Sequence, residues 1–188
     1  MEKEIEIERR AMVTEDQYNA IRNDYINFPS FKNTNYYFDD PNLTLTNSHQ
    51  VLRIRTVDDI SPIIQYKFSC PQGDIEYHIP IGYMEFKKTL TNGLVIPREL
   101  KKDIKLDKVY LICSLKTERV EVKKIDHLLV IDKNEYLNKT DYNIEVEANY
   151  KEDAEKAMKE YVEQYKIEIK GKYVSKSRRV ISLVRKLK

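Results

Sequence analysis

The chain has 188 residues, with 33 Lys+Arg against 31 Asp+Glu and a formal net charge of +2. That near balance excludes a dedicated duplex-DNA binder, which carries a clear basic surplus. No apolar run approaches a membrane span and the opening Met-Glu-Lys-Glu-Ile-Glu does not read as a signal peptide, so no membrane is expected and the cytoplasm is the expected location.

Charged residues make up 34% of the chain while the two signs nearly cancel, so they are either spread over a salt-bridged surface or gathered somewhere for a purpose. Cys70 and Cys113 have no partner spacing, which fits a reducing compartment. His49, His78 and His127 are scattered and read as isolated surface or loop residues, not a zinc site. With four glycines, six prolines and no linker or repeat, the chain reads as one domain over 1–188.

Residues 4–12 alternate acidic and aliphatic at period two, as a strand does. Thr14 then opens Thr-Glu-Asp-Gln, a capping box, and the spacing predicts a helix to about Phe28 with Tyr18, Ile21, Tyr25 and Phe28 on its buried stripe. Strands are predicted over 34–40, 50–57 and 62–69, separated by polar turns at 40–42 and 58–62. The middle, 81–106, reads as helical and mixed, with Tyr83 to Leu90 helical and Pro97 at a helix start. Strands return over 109–124, 127–132 and 142–149. A helix over 151–165 places Ala154, Met158, Tyr161 and Tyr165 on one face. The last segment, 172–187, reads as a strand running into a short helix. Seven or eight strands joined by short turns imply an α+β protein with an antiparallel sheet or barrel.

The chemistry lies in the strand faces. An ordinary half-exposed strand carries apolar residues inside and mixed polar ones outside. Here the polar side is almost wholly charged on strand after strand. Glu4, Glu6, Glu8 and Arg10 oppose Ile5 and Ile7. Arg53 and Arg55 oppose Leu52 and Ile54, and Gln65 and Lys67 oppose Ile64, Tyr66 and Phe68. Arg119, Glu121 and Lys123 oppose Val120 and Val122. Glu145 and Glu147 oppose Ile144 and Val146, and Asp132 ends Leu-Leu-Val-Ile-Asp. If the sheet closes, one face of every strand points into a common lumen. Charges gathered there must be paired or neutralised. Clustered carboxylates supply hard oxygen ligands for Mg²⁺ or Mn²⁺, while Arg and Lys bind phosphate oxygens. There is no Gly-rich phosphate loop, so the cradle must be built from side chains.

Glu6-Ile7-Glu8-Arg9-Arg10 resembles the Glu-x-Glu-x-Lys signature that opens CYTH domains, the triphosphate tunnel metalloenzymes. Tyr36-Tyr37-Phe38-Asp39-Asp40, Leu52-Arg53-Ile54-Arg55 and Tyr66-Lys67 resemble that family's next three strands in order. Ser114-Leu115-Lys116-Thr117-Glu118-Arg119 resembles its basic strand, followed by Asp132, the paired acids Glu145 and Glu147, and a closing Ser175-Lys176-Ser177-Arg178. The resemblance spans nearly the whole chain and is greatest to the short, stand-alone bacterial members, labelled as adenylate cyclase-like. It implies a closed antiparallel eight-stranded β-barrel with a few helices packed outside.

The resemblance also implies roles. Glu6, Glu8, Glu145 and Glu147 would ligate Mg²⁺ or Mn²⁺, with Asp132, Glu4 and Glu121 assisting. Arg10, Arg53, Arg55, Lys67, Arg119, Lys176 and Arg178 would hold phosphates, and Arg10 and Lys67 would be catalytic. Arg10 stands where the signature has lysine; charge is kept, but arginine does not give up its proton. The implied activity is metal-dependent hydrolysis of a triphosphate-bearing small molecule, such as inorganic triphosphate, thiamine triphosphate or a nucleoside triphosphate. The alternatives are a class IV-type adenylate cyclase making cyclic AMP and a non-catalytic nucleotide- or polyphosphate-binding module. A homodimer is compatible with all three.

Overall fold

A computed structural model describes the backbone of residues 2–71 and 73–187 and the side chains of 7–71 and 74–186. The class is α+β, with antiparallel strands and few helices, as expected. The chain divides into two compact units, one formed by 6–32 and 116–174 and the other by 1–5, 33–115 and 175–188.

In the unit of 6–32 and 116–174, β1 (Glu2–Val13), β9 (Lys139–Ala148), β8 (His127–Tyr136) and β7 (Lys108–Lys123) lie side by side. All pair antiparallel. Their alternation sends Ala11, Val13, Val120, Val122, Leu129, Ile131, Ile144 and Val146 into one apolar core. The helices α1 (Glu15–Asp24) and α4 (Lys151–Gln164) complete it with Tyr18, Ile21, Ala154, Ala157, Met158 and Tyr161. The capping box on α1 is formed: Gln17 N donates to Thr14 Oγ1 at 3.2 Å, and Thr14 N donates to Gln17 Oε1 at 2.9 Å. The helix stops at Asp24, short of Phe28, which is exposed. Pro29 follows, and a residue before proline is disfavoured in helix. The β8–β9 hairpin turns through Leu137 and Asn138, both at positive φ, where Asn is at ease and Leu is not.

In the other unit, β2 (Ser30–Asp39), β3 (Gln50–Val57), β4 (Ile60–Cys70) and β5 (Gly73–Pro80) form consecutive antiparallel pairs. Phe38, Leu52, Ile54, Ile64, Tyr66 and Tyr77 face its apolar core, with Phe86 of α3 (Tyr83–Asn92), Leu94 of β6 (Leu94–Val95) and Leu100 beyond. The sequence pattern suggested no strand at 73–80, although Ile75, Tyr77 and Ile79 alternate with Glu76 and His78. A short α2 (Thr44–Asn47) follows β2, and buried Asp39 secures it by accepting from the backbone of Asp40, Leu45 and Thr46. The expected closing strand is absent: α5 (Lys176–Leu187) is helical from its first residue. Ser175 Oγ accepts from Arg178 N, and the spacing of Ser177, Val180 and Ile181, all buried, is helical.

Gly93 ends α3 at φ +86, and a Cβ there would sit 2.7 Å from the Val109 carbonyl oxygen. The position therefore needs glycine twice over, for conformation and for room. Gly93→Ala is expected to destabilise the fold by about 2 kcal/mol in urea unfolding, with an unchanged denaturant slope.

Candidate functional site

The face of β1, β9, β8 and β7 opposite their apolar core is polar and charged. Register decides which side chains meet: Glu8 is paired with Glu147, Arg10 with Glu145, Asp132 with Asn143 and Arg119 with Asp132. Arg119 is buried and forms a two-pronged pair with Asp132, Nε to Oδ1 and Nη2 to Oδ2, each at 2.9 Å. Its Nη2 also donates to Glu145 Oε2 at 3.1 Å. Burial alone would lower the Arg119 pKa, but Asp132 and Glu145 overcome it and hold the guanidinium charged far above its ordinary range. Asn143 Nδ2 lies 3.4 Å from Glu145 Oε1, and a neutral chain runs on through Asn134 to Thr117.

Among the described residues, Glu8, Glu145 and Glu147 form a group whose carboxylate oxygens all lie within 4.8 Å of one another. Such a set on two neighbouring strands fits a hard divalent cation by donor type and proximity. Three of the residues assigned from sequence to metal binding are therefore brought together. Asp132 is engaged by Arg119 and lies outside that group; Glu121 is exposed, 3.7 Å from Arg119 Nη1. The side chains of Glu4 and Glu6 fall outside the described residues.

A second charged network lies across β2, β3, β4 and β5. Arg53 is paired in register with Tyr37 and Gln65, Gln65 with His78, and Lys67 with Glu76. Arg53 Nε donates to Gln65 Oε1 at 2.9 Å and its Nη2 to Glu76 Oε1 at 3.3 Å. Lys67 Nζ lies 3.3 Å from Asp74 Oδ2 and 3.8 Å from Glu76 Oε2. His78 Nε2 stands 3.0 Å from Glu76 Oε1. Arg55 Nε donates to Asn35 Oδ1 at 3.0 Å. Burial pushes the Glu76 carboxyl up, but Arg53, the hydrogen bond with His78, and Lys67 outweigh it and hold it well below the usual carboxylate range.

Arg53, Arg55 and Lys67 thus share one polar face, as the alternation implied. Lys176 and Arg178 do not sit on a strand: both are on α5, where Arg178 contacts His49 and Arg185 donates to Asn47 Oδ1 at 2.7 Å. The histidines are not isolated either. His78 lies in a strand, and His127 joins Asp126 to Tyr161, with Nδ1 and Nε2 at 2.7 and 2.9 Å. Glu76, His78 and Asp74 are residues that the sequence reading missed, and the period-two alternation of 75–79 is the signal that marks them.

The CYTH domain family matches residues 4–180. The chain is 30% identical over 173 residues to the Bacillus subtilis protein named "Putative triphosphatase YjbK", covering 89% of this chain and 90% of that one. The chain belongs to the CYTH domain family. Two solved structures resemble this CYTH protein in fold. A Bacillus halodurans protein described as a "putative adenylate cyclase" superposes with a TM-score of 0.85 at 24% identity, over 95% of this chain and 98% of that one. The Hippeastrum protein HpAC1, described as a "putative adenylyl cyclase" with a dominant triphosphatase activity, gives 0.76 at 18% identity, over 100% and 97%.

Glu76 gives a pH signature. Its folded pKa is depressed, so its contribution to stability is present above the unfolded value of about 4.3 and is lost as pH falls towards the folded value. Wild type is expected to lose stability through Glu76 as pH drops from 5 to 3, and Glu76→Gln to flatten that slope. At pH 7 the same change is expected to cost about 3 kcal/mol, because Arg53 and Lys67 lose a buried partner. Urea unfolding across that pH range checks both.

Proposed function

We propose that this CYTH protein is a cytoplasmic, metal-dependent hydrolase of a triphosphate-bearing small molecule. The observation that carries the reading is the separation of charge types by strand: carboxylates close enough to share a cation on β1 and β9, and cations on β3 and β4. The relationship to the protein named "Putative triphosphatase YjbK" supports the same chemistry. The strands would close into an eight-stranded barrel with these faces lining its tunnel. Membership of the CYTH domain family is what supports that closure.

Glu8, Glu145 and Glu147 would hold Mg²⁺ or Mn²⁺, with Arg119 and Asn143 orienting Glu145 from behind. A bound divalent ion neutralises phosphoryl oxygens and makes a nearby water a better nucleophile. Arg53, Arg55 and Lys67 would bind the phosphate chain, Arg through its planar fork and Lys as a point charge. Glu76 would keep Arg53 and Lys67 placed before substrate arrives. Phosphoryl transfer needs positioning and charge neutralisation more than a protein nucleophile, which supports a hydrolytic role for these parts.

Arg10 favours a second reading, binding without turnover, because a guanidinium at this position cannot serve as a base. A panel of tripolyphosphate, thiamine triphosphate and ATP with Mg²⁺ and with Mn²⁺, followed for phosphate, pyrophosphate and cyclic AMP, separates the readings. Phosphate release is expected with at least one substrate; cyclic AMP alone, or binding with no product, would overturn hydrolysis.

Two substitutions test the roles. Glu147→Gln is expected to lower kcat/KM by at least about 100-fold while the fold persists, as removal of a charge-stabilising partner does. Arg53→Ala is expected to raise KM for the triphosphate without weakening Mn²⁺ binding, and equal loss of both would make Arg53 a fold residue. Steady-state kinetics beside calorimetric Mn²⁺ titration gives both readouts.

A further inference from the structure

Arg10 projects from β1 on the same face as Glu8 and directly opposite Glu145 of β9. Its Nε donates to Glu8 Oε2 at 2.7 Å while its Nη2 contacts Glu8 Oε1, so one guanidinium engages both oxygens of that carboxylate. The same Nε stands 3.7 Å from Glu145 Oε1. Glu8 and Glu145 are two of the three residues in the close carboxylate group. The ring of Tyr173 lies 5.6 Å from the guanidinium carbon, within the range of a cation–π contact.

We propose that Arg10 is an internal cation that competes with a divalent ion for these carboxylates, so that metal binding must displace its guanidinium from Glu8. The inference rests on the reading of Glu8, Glu145 and Glu147 as the cation site. A carboxylate whose two oxygens receive a guanidinium fork has its best lone pairs occupied, and a second cation must take them over. Arginine cannot vacate the site by losing a proton; it leaves only by moving. Tyr173 offers the guanidinium a partner that does not depend on Glu8, so the displaced group need not become a bare charge. Two consequences follow. The free protein keeps its clustered acids neutralised without metal, and its intrinsic metal affinity is lower than the carboxylate count alone implies. A guanidinium released from Glu8 also becomes available to an incoming phosphate, so metal and triphosphate are expected to strengthen each other's binding.

The test uses Mn²⁺ alone, with no substrate, titrated calorimetrically into the full chain as wild type, Arg10→Met, Arg10→Gln and Glu147→Gln. Removing a neighbouring cation changes how tightly a carboxylate holds another one by about tenfold or more. Whichever of Arg10→Met and Arg10→Gln folds is therefore expected to bind Mn²⁺ at least about tenfold tighter than wild type. Unchanged or weaker binding in the folded Arg10 variants overturns the competition. If Glu147→Gln loses Mn²⁺ at the same time, the cation site itself stands. Mn²⁺ binding that survives Glu147→Gln unchanged overturns both the site and the inference. Wild type provides an independent readout: the Arg10 Nε–H resonance is expected to shift on addition of Mg²⁺ as its bond to Glu8 breaks. A resonance that does not move through saturation would also overturn the proposal.

Discussion

In an antiparallel ladder, directly paired residues put their side chains on the same face about 5 Å apart. Between β1 and β9 that rule sets Glu8 opposite Glu147, with Glu145 two pairs further along and on the same face. Like charges so placed repel, and the three carboxylates lie within 4.8 Å of one another. Nearby cations relieve that repulsion, and among the described residues Arg10 and Arg119 reach this group. Arg119 reaches Glu145 from β7 with its charge secured by Asp132, and Arg10 holds Glu8. The polar face of these strands is therefore organised around a surplus of negative charge held in check.

The complementary problem is solved by the complementary device on β3, β4 and β5. Arg53 and Lys67 converge on one carboxylate, Glu76, which is almost fully removed from solvent. A buried anion between cations keeps both ordered, and its depressed pKa means that it stays ionised through the physiological range. Each network contains an internal counter-ion of the minority sign. Arg10 serves this role among the acids and Glu76 among the bases, and each occupies groups that a ligand of the same sign would use.

Much of this was legible in the sequence because strand alternation has period two and is hard to disguise. Arg53 with Arg55, Gln65 with Lys67, and Glu145 with Glu147 fell on the faces their spacing implied, and the apolar partners Leu52, Ile54, Ile144 and Val146 are core residues. The capping box at Thr14 marks the start of α1, whereas no comparable signal marks its end at Asp24. The strand 73–80 carries a weaker signal because Asp74, Glu76 and His78 are poor strand formers, and their register against β4 is a tertiary fact. The closing segment misled for the opposite reason. Ser-Lys-Ser-Arg alternates like a strand, but Val180 and Ile181 three and four residues after Ser177 continue it as a helix. Pairings across strands, such as Arg119 with Asp132 or Arg10 with Glu8, depend on register and rotamer, which composition does not encode.

The proposed triphosphatase function requires that a divalent ion and a polyphosphate bind this CYTH protein together. Thermal unfolding followed with Mg²⁺ alone, tripolyphosphate alone and both together tests it most directly. The predicted result is stabilisation by the pair that exceeds the sum of the separate effects, reaching about 2.7 kcal/mol at a hundredfold excess over Kd. Effects that merely add, or a protein indifferent to the pair, would contradict it.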